Sequence, residues 1–260
     1  MLAHEPVEAS ITRATAEIEK NPEDARLYLK RGELHRVMDK HALAEADYAR
    51  AAALDPDDPE VDFYLGRLFL AKDQPAKAEA SLSRFIARDP GHTTARMLRA
   101  RALVKLGRRP EAVEEYTAAI GLHGGAGPDL YLERAQALAG MGDAHLDAAL
   151  QGLDAGLGKL GPVVTLELYA IELEEKRGNF SSALGRLDRI LERSPRKDTW
   201  LARRGQILEL AGRPAEAREV YEQALNAISK LPEARRSTPA TADSQARLRD
   251  AMARLENASE

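Results

Sequence analysis

A period of 34 residues constrains this chain more than any other feature. Asn21-Pro22, Asp55-Pro56 and Asp89-Pro90 stand 34 apart, and alignment on the prolines fills further columns. A small residue recurs at Gly32, Gly66, Ala100, Ala135 and Gly205, and glycine or aspartate follows seven places later at Asp39, Asp73, Gly107, Gly142, Gly178 and Gly212. Alanine then stands at Ala44, Ala78, Ala112, Ala183 and Ala217, with Ala149 in step after a two-residue slip. Four places on comes a large residue: Tyr48, Leu82, Tyr116, Leu153, Leu187 or Tyr221. Units this short cannot bury a core singly, so they must stack on their neighbours.

Each column has a physical cause. Glycine inside a helix costs about 1 kcal/mol against alanine, so close helix packing must offset it. The alanine column reads as the other half of that approach, and Ala44→Leu should cost about 1–3 kcal/mol by overpacking. Glycine or aspartate at the next column ends the first helix, and proline marks where the second has stopped. Each period therefore predicts two antiparallel helices of about 12 to 14 residues. Composition agrees, since 46 alanines and 35 leucines stand against a dozen aromatic residues, a mixture that favours helix over strand.

The pattern resembles the tetratricopeptide repeat, over Ala25 to Ser229. The resemblance implies an all-α α-solenoid, a right-handed superhelix of helix-turn-helix units. Six repeats are expected at 25–58, 59–92, 93–127, 128–163, 164–197 and 198–231. A capping helix is expected within 1–24, resting Ile11 and Ile18 on repeat one. A linker and a final capping helix are expected within 232–260, with 232–239 a loop and Leu248, Met252 and Leu255 on one face of the helix. Thr238-Pro239 supplies its start signal. Irregularity concentrates mid-array: a glycine-rich stretch at 121–127, two extra residues near Asp147, and Ile171 in the small column. These predict a change of pitch or a joint around Gly124 to Gly127.

Catalytic patterns are missing from the sequence. There is no Gly-x-Ser-x-Gly elbow, no His-Glu-x-x-His helix and no complete phosphate loop. Gly156 to Gly161 imitates a phosphate loop but lacks the hydroxyl after Lys159 and reads as a helix end. The six histidines never stand three or four apart, as a helical metal pair requires, and read as solvated. Glu114-Glu115 and Glu174-Glu175 likewise read as solvated charges, since adjacent helical residues face different ways. No cysteine is available for disulfides or thiolate sites. The expectation is a non-enzyme without cofactor or metal.

The net charge of −4 offers no general pull toward nucleic acid, and no apolar run is long enough to span a membrane. A cytoplasmic location is expected, with the periplasm or exterior the alternative had a signal been trimmed.

The resemblance places the partner surface on the first helices of the repeats, in a concave groove. Its inward positions carry an apolar stripe of Leu29, Phe63, Met97 and Leu132, joined by Tyr64, Leu98 and Tyr169. Either the stripe packs between neighbouring first helices or it receives an apolar anchor from a peptide or helix. Lys30, Arg67 and Arg101 help make the N-terminal half basic, against an acidic C-terminal half around Asp129, Glu133, Glu172, Glu175 and Glu209. Arg67 and Arg101 share one register position, so they either clamp a carboxylate or phosphate or pair with acids such as Glu33. The carboxylate clamp of chaperone adaptors in this family is not reproduced, because Leu29, Glu33, Tyr64, Thr94 and Leu98 occupy its positions. A protein or peptide partner with an acidic segment is expected, with self-assembly of the array as the alternative.

Overall fold

The computed structural model describes residues 7–122 and 126–257, all as helices and the turns between them. The chain divides into two compact units, Met1–Met141 and Gly142–Glu260. The first contains α1 (Val7–Lys20), α2 (Ala25–Val37), α3 (His41–Leu54), α4 (Glu60–Ala71), α5 (Pro75–Arg88), α6 (Thr93–Lys105), α7 (Arg109–Gly121) and α8 (Pro128–Ala139). The second opens with a 3₁₀ turn at Asp143–His145. It continues with α9 (Leu146–Leu160), α10 (Val164–Lys176), α11 (Phe180–Arg193), α12 (Asp198–Leu210), α13 (Pro214–Ser229), α14 (Glu233–Arg236) and α15 (Pro239–Asn257).

In the first unit α2 packs on α3, α4 on α5 and α6 on α7, while α2, α4 and α6 lie side by side as an inner row. The turn column sets these hairpins. Asp39 and Asp73 adopt φ of 56° and 53°, and Gly107, Gly178 and Gly212 have φ of 78°, 72° and 69°, so the first helix of most pairs is followed by a residue of positive φ. Gly142, with φ of 112° and ψ of 175°, takes a more extended conformation open to glycine alone. The small-residue column has a different counterpart from the alanines expected. A β-carbon on Gly32 would lie 2.5 Å from Tyr48 Cε1, and one on Gly66 would lie 2.5 Å from Leu82 Cγ. It is therefore the large residue sixteen places on that fills the space glycine leaves. The alanines Ala44, Ala78, Ala112, Ala183 and Ala217 are fully buried beside that contact.

Apolar clusters among the described residues make up much of the core of the first unit. One joins Ile18 of α1 to Tyr28, Leu29, Tyr48 and Leu68, so α1 covers the end of the stack. Others centre on Phe63, Leu82 and Phe85, and on Leu103, Tyr116 and Leu130. In the second unit a continuous cluster runs from Ile171 and Leu187 through Ile207 and Tyr221 to Leu248 and Ala251 of α15, with Met252 and Leu255 packed against it.

Several expectations need correcting. The stretch 232–239 is not all loop, because Glu233–Arg236 forms one helical turn. The two extra residues are absorbed in the 3₁₀ turn at Asp143–His145, ahead of Asp147. The division between units falls between Met141 and Gly142, whereas α7 and α8, on either side of the glycine-rich stretch, belong to one unit and pack together. Gly124 and Gly125 themselves lie outside the described residues, as do His4 and His123. His35 is not solvated, since it faces inward beside Asp47. His92 caps α6, its Nδ1 accepting from Ala95 N at 3.0 Å. Glu174 is buried against Arg186.

Candidate functional site

The inner row of the first unit frames a cavity of about 1060 Å³ between α2 and α4, with Ser10 of α1 at its margin. Leu29, Leu34, Leu54 and Tyr64 supply its apolar surface. Its charge comes mainly from loops. Glu23, Asp24, Asp55, Asp57 and Asp58 precede α2 and α4, and Glu33 and Glu60 join them, giving seven carboxylates against Arg26 and Lys30. Lys30 is itself drawn to Glu17, at 3.2 Å. This cleft is therefore acidic, in contrast to the basic character expected of the N-terminal half from first-helix positions alone. Three of these carboxylates also set local structure: Asp24 Oδ1 accepts from Arg26 N, Asp55 Oδ1 from Asp57 N and Asp58 Oδ1 from Glu60 N. The signal lay in the run Asp55-Pro56-Asp57-Asp58-Pro59, whose residues serve as turn formers and as charges at once.

Leu29, Lys30 and Tyr64 come together in this cavity. Leu29 and Phe63 are 4% and 8% exposed, so they form its floor and the core beneath it and do not project as anchors. Phe63 contacts the rings of Tyr64, Phe85 and His92, and the Arg67 guanidinium lies 5.7 Å over its centroid. Leu98 packs against that aromatic cluster, and Met97 against the cluster around Leu103 and Tyr116. Leu132 and Tyr169 are half-buried, the latter in the second unit.

Arg67 and Arg101 do not converge. Arg67 on α4 reaches back to Glu33 of α2 at 2.8 Å, whereas Arg101 on α6 reaches forward to Glu133 of α8 at 2.6 and 2.8 Å. Each carboxylate is further occupied: Glu33 receives Arg36 at 2.9 and 2.8 Å, and Glu133 receives the Tyr116 hydroxyl. Burial pushes the hydroxyls of Tyr48 and Tyr116 well above the ordinary phenol range, and the adjacent Glu33 and Glu133 push them further. The two arginines thus stitch neighbouring inner helices together, because each inner helix brings an acid within reach of the next one's arginine. Arg203 and Glu175 repeat the arrangement between α12 and α10, at 2.6 and 2.8 Å.

The second unit carries its own cleft, a cavity of about 520 Å³ between α12 and α15. Leu168, Ala202, Arg203 and Glu209 line one side, and Arg247, Asp250 and Arg254 of α15 the other. The last helix therefore forms a wall of the cleft as well as covering Ile228 and Tyr221. Among the described residues no cluster of His, Cys, Asp or Glu is placed to hold a metal ion, and no helix is long and apolar enough to cross a membrane.

Paired antiparallel helices, αL turns at a fixed column and an inner row of first helices define a helical-repeat protein. The tetratricopeptide repeat profile matches residues 2–59, 63–131, 97–156 and 171–235, and the chain belongs to that family. Solved structures share the fold at low identity. The C-terminal part of a TPR repeat-containing protein from Cytophaga hutchinsonii is 13% identical with a TM-score of 0.69, over 92% of this chain and 94% of that one. PilW, described as a widely conserved type IV pilus biogenesis factor, is 15% identical with a TM-score of 0.61, over 75% and 90%. A tetratricopeptide repeat protein from Parabacteroides merdae is 13% identical with a TM-score of 0.58, over 96% and 92%. No curated protein matches the sequence significantly. The fold is one used for protein–protein interaction.

Proposed function

We propose that the chain is a non-catalytic interaction scaffold whose first unit holds a basic segment of a partner protein, extended or helical, in the cleft between α2 and α4. The observation that carries this reading is the cavity of about 1060 Å³ with leucine and tyrosine on its floor and seven carboxylates around it. Such a site takes an apolar anchor flanked by lysine or arginine. An acidic segment finds no equivalent support, since Arg67 and Arg101 are already bound to Glu33 and Glu133. The same reading treats residues 25–231 as six repeats between terminal capping segments, which α1 and α15 support by covering the ends of their units.

Partner capture by the intact chain and by a Glu23→Lys, Asp57→Lys, Asp58→Lys variant tests the proposal. None of the three is buried, and the turn hydrogen bond lost, from Glu60 N to Asp58 Oδ1, costs about 1 kcal/mol, so the variant should fold. Partners retained by the parent chain should be lost by the variant, and their binding should weaken with added salt. Undiminished capture by the variant, insensitive to salt, would overturn the electrostatic assignment.

A further inference from the structure

A third cavity, different in its chemistry from both clefts, lies where α10, the end of α11 and the start of α12 meet. Its volume is about 340 Å³, at the small end of the roughly 300–1,000 Å³ typical of ligand pockets. The walls are mainly apolar: Pro162 and Val164 at the entry to α10, Ile190 of α11, Pro195, and Trp200 of α12. The indole is held in place, because Trp200 Nε1 donates to Ser194 Oγ at 3.0 Å and that hydroxyl donates to the Arg196 carbonyl at 2.7 Å. The cavity wall is therefore pre-formed and does not depend on a mobile ring.

Three charged groups reach this cavity, and two cancel. Arg189 forms a two-pronged pair with the buried Glu167 at 2.8 and 3.0 Å. Arg193, at the last position of α11, is exposed, and among the described residues its guanidinium makes no hydrogen bond or ion pair. One uncompensated positive charge thus stands at the edge of an apolar cavity. A phosphate monoester, with about two negative charges at neutral pH, would call for a second free cation that Arg189 cannot supply. A neutral hydrocarbon would leave Arg193 unused.

We propose that this cavity binds a small carboxylic acid with a branched apolar body, the body against Trp200 and Ile190 and the carboxylate on Arg193. The site lies wholly within the second unit and does not depend on the cleft between α2 and α4.

Trp200 is the only tryptophan in the chain, so its emission reports binding without labelling. The indole also borders the cleft between α12 and α15, so the Arg193→Gln variant assigns the response to this cavity. The full-length protein is titrated with 4-methylpentanoate, with the matching 4-methylpentanamide, and with acetate. The acid should change the emission saturably, the amide should bind at least about tenfold more weakly for want of the charge-assisted bond, and acetate should have no saturable effect. Arg193→Gln, with circular dichroism unchanged, should bring the acid down to the level of the amide. No saturable response to the acid, equal responses to acid and amide, or an Arg193→Gln variant that binds the acid as before would each overturn the proposal.

Discussion

The Tyr116 hydroxyl on α7 donates to Glu133 Oε2 on α8 at 2.8 Å. The ring is 2% exposed, so its single polar atom is satisfied by a carboxylate that Arg101 also holds. Tyrosines at the same column also meet a glutamate, but on the first helix of their own hairpin: Tyr48 meets Glu33 at 3.3 Å, and Tyr221 meets Glu209. At Tyr48 and Tyr116 the tyrosine thus couples helix packing to the arginine–glutamate seam between neighbouring first helices. Tyr116→Phe leaves Glu133 on Arg101 and should cost about 1 kcal/mol. Glu133→Gln disturbs both bonds and should cost about 1–3 kcal/mol. Urea unfolding measures both, and equal costs would argue against a shared carboxylate.

The same tyrosines give the protein an alkaline limit. Burial, reinforced by neighbouring carboxylates, raises the folded-state pKa of Tyr48, Tyr116 and Tyr221 above the ordinary value of 10.0, and burial raises Tyr64 and Tyr169 likewise. A folded pKa above the unfolded one means that the contribution is fully present below about pH 10 and is lost as pH rises beyond it. The melting temperature should fall from about pH 10 upward more steeply than in a Tyr48→Phe, Tyr116→Phe, Tyr221→Phe variant. Phenolate absorbance should show these hydroxyls ionising together with unfolding. Their titration at ordinary pH in the folded chain would contradict their burial.

Two substitutions separate the packing column from the turn column. Alanine at Gly32 would gain about 1 kcal/mol of helix propensity but would meet the buried Tyr48 ring, at an overpacking cost of about 1–3 kcal/mol. Gly32→Ala should therefore lower the urea midpoint. Asp39 holds φ of 56° without glycine's freedom. Asp39→Gly removes αL strain of about 1–2 kcal/mol and returns part of it as unfolded-state entropy. A net gain of about 0.5 kcal/mol is expected. Asp73 is the poorer choice because it pairs closely with Lys105 at 2.5 Å, whereas Asp39 comes only within 3.6 Å of His41.

What the sequence disclosed followed from what repeats. The repeat register, with the family resemblance, put repeat starts at the first residues of α2, α6, α8, α10 and α12, and the Gly or Asp column marked the turns after the first helices, because positive φ favours those residue types. The site was less legible. Register predicted that Leu29, Phe63 and Met97 share a face, but not that the first two lie beneath the surface, since depth depends on the helices packed behind them. Charge read from first helices alone missed Asp55, Asp57 and Asp58, which reach the cleft from a loop. Arg67 and Arg101 share a register position yet serve different neighbours, because the identity of the facing acid, Glu33 or Glu133, decides each direction. Glu174 and Glu175, adjacent and alike in sequence, part company for the same reason: one meets Arg186 and the other Arg203.

Arg186 is the charge the second unit can least lose. It lies buried on α11, bonded to Asp154 of α9 at 2.6 and 2.9 Å, with Glu174 at 3.5 Å and Glu167 at 3.6 Å on α10. Glu167 and Glu174 stand seven residues apart, two turns along one face, and both are under one-tenth exposed. Arg189 also holds Glu167, but Glu174 Oε2 has no hydrogen-bond partner, and Arg177 comes only within 3.9 Å of that side chain. Arg186→Met would keep the volume and strip the cation, leaving Glu174 buried without its nearest counter-charge. The expected cost is about 3–5 kcal/mol, the usual price of breaking one side of a buried pair. Adding Glu174→Gln to Arg186→Met should recover part of that loss, because the stranded charge goes with it. Urea unfolding followed by Trp200 emission reads this unit directly. A cost below about 1 kcal/mol for Arg186→Met, or no recovery in the double variant, would show that water already screens the cluster.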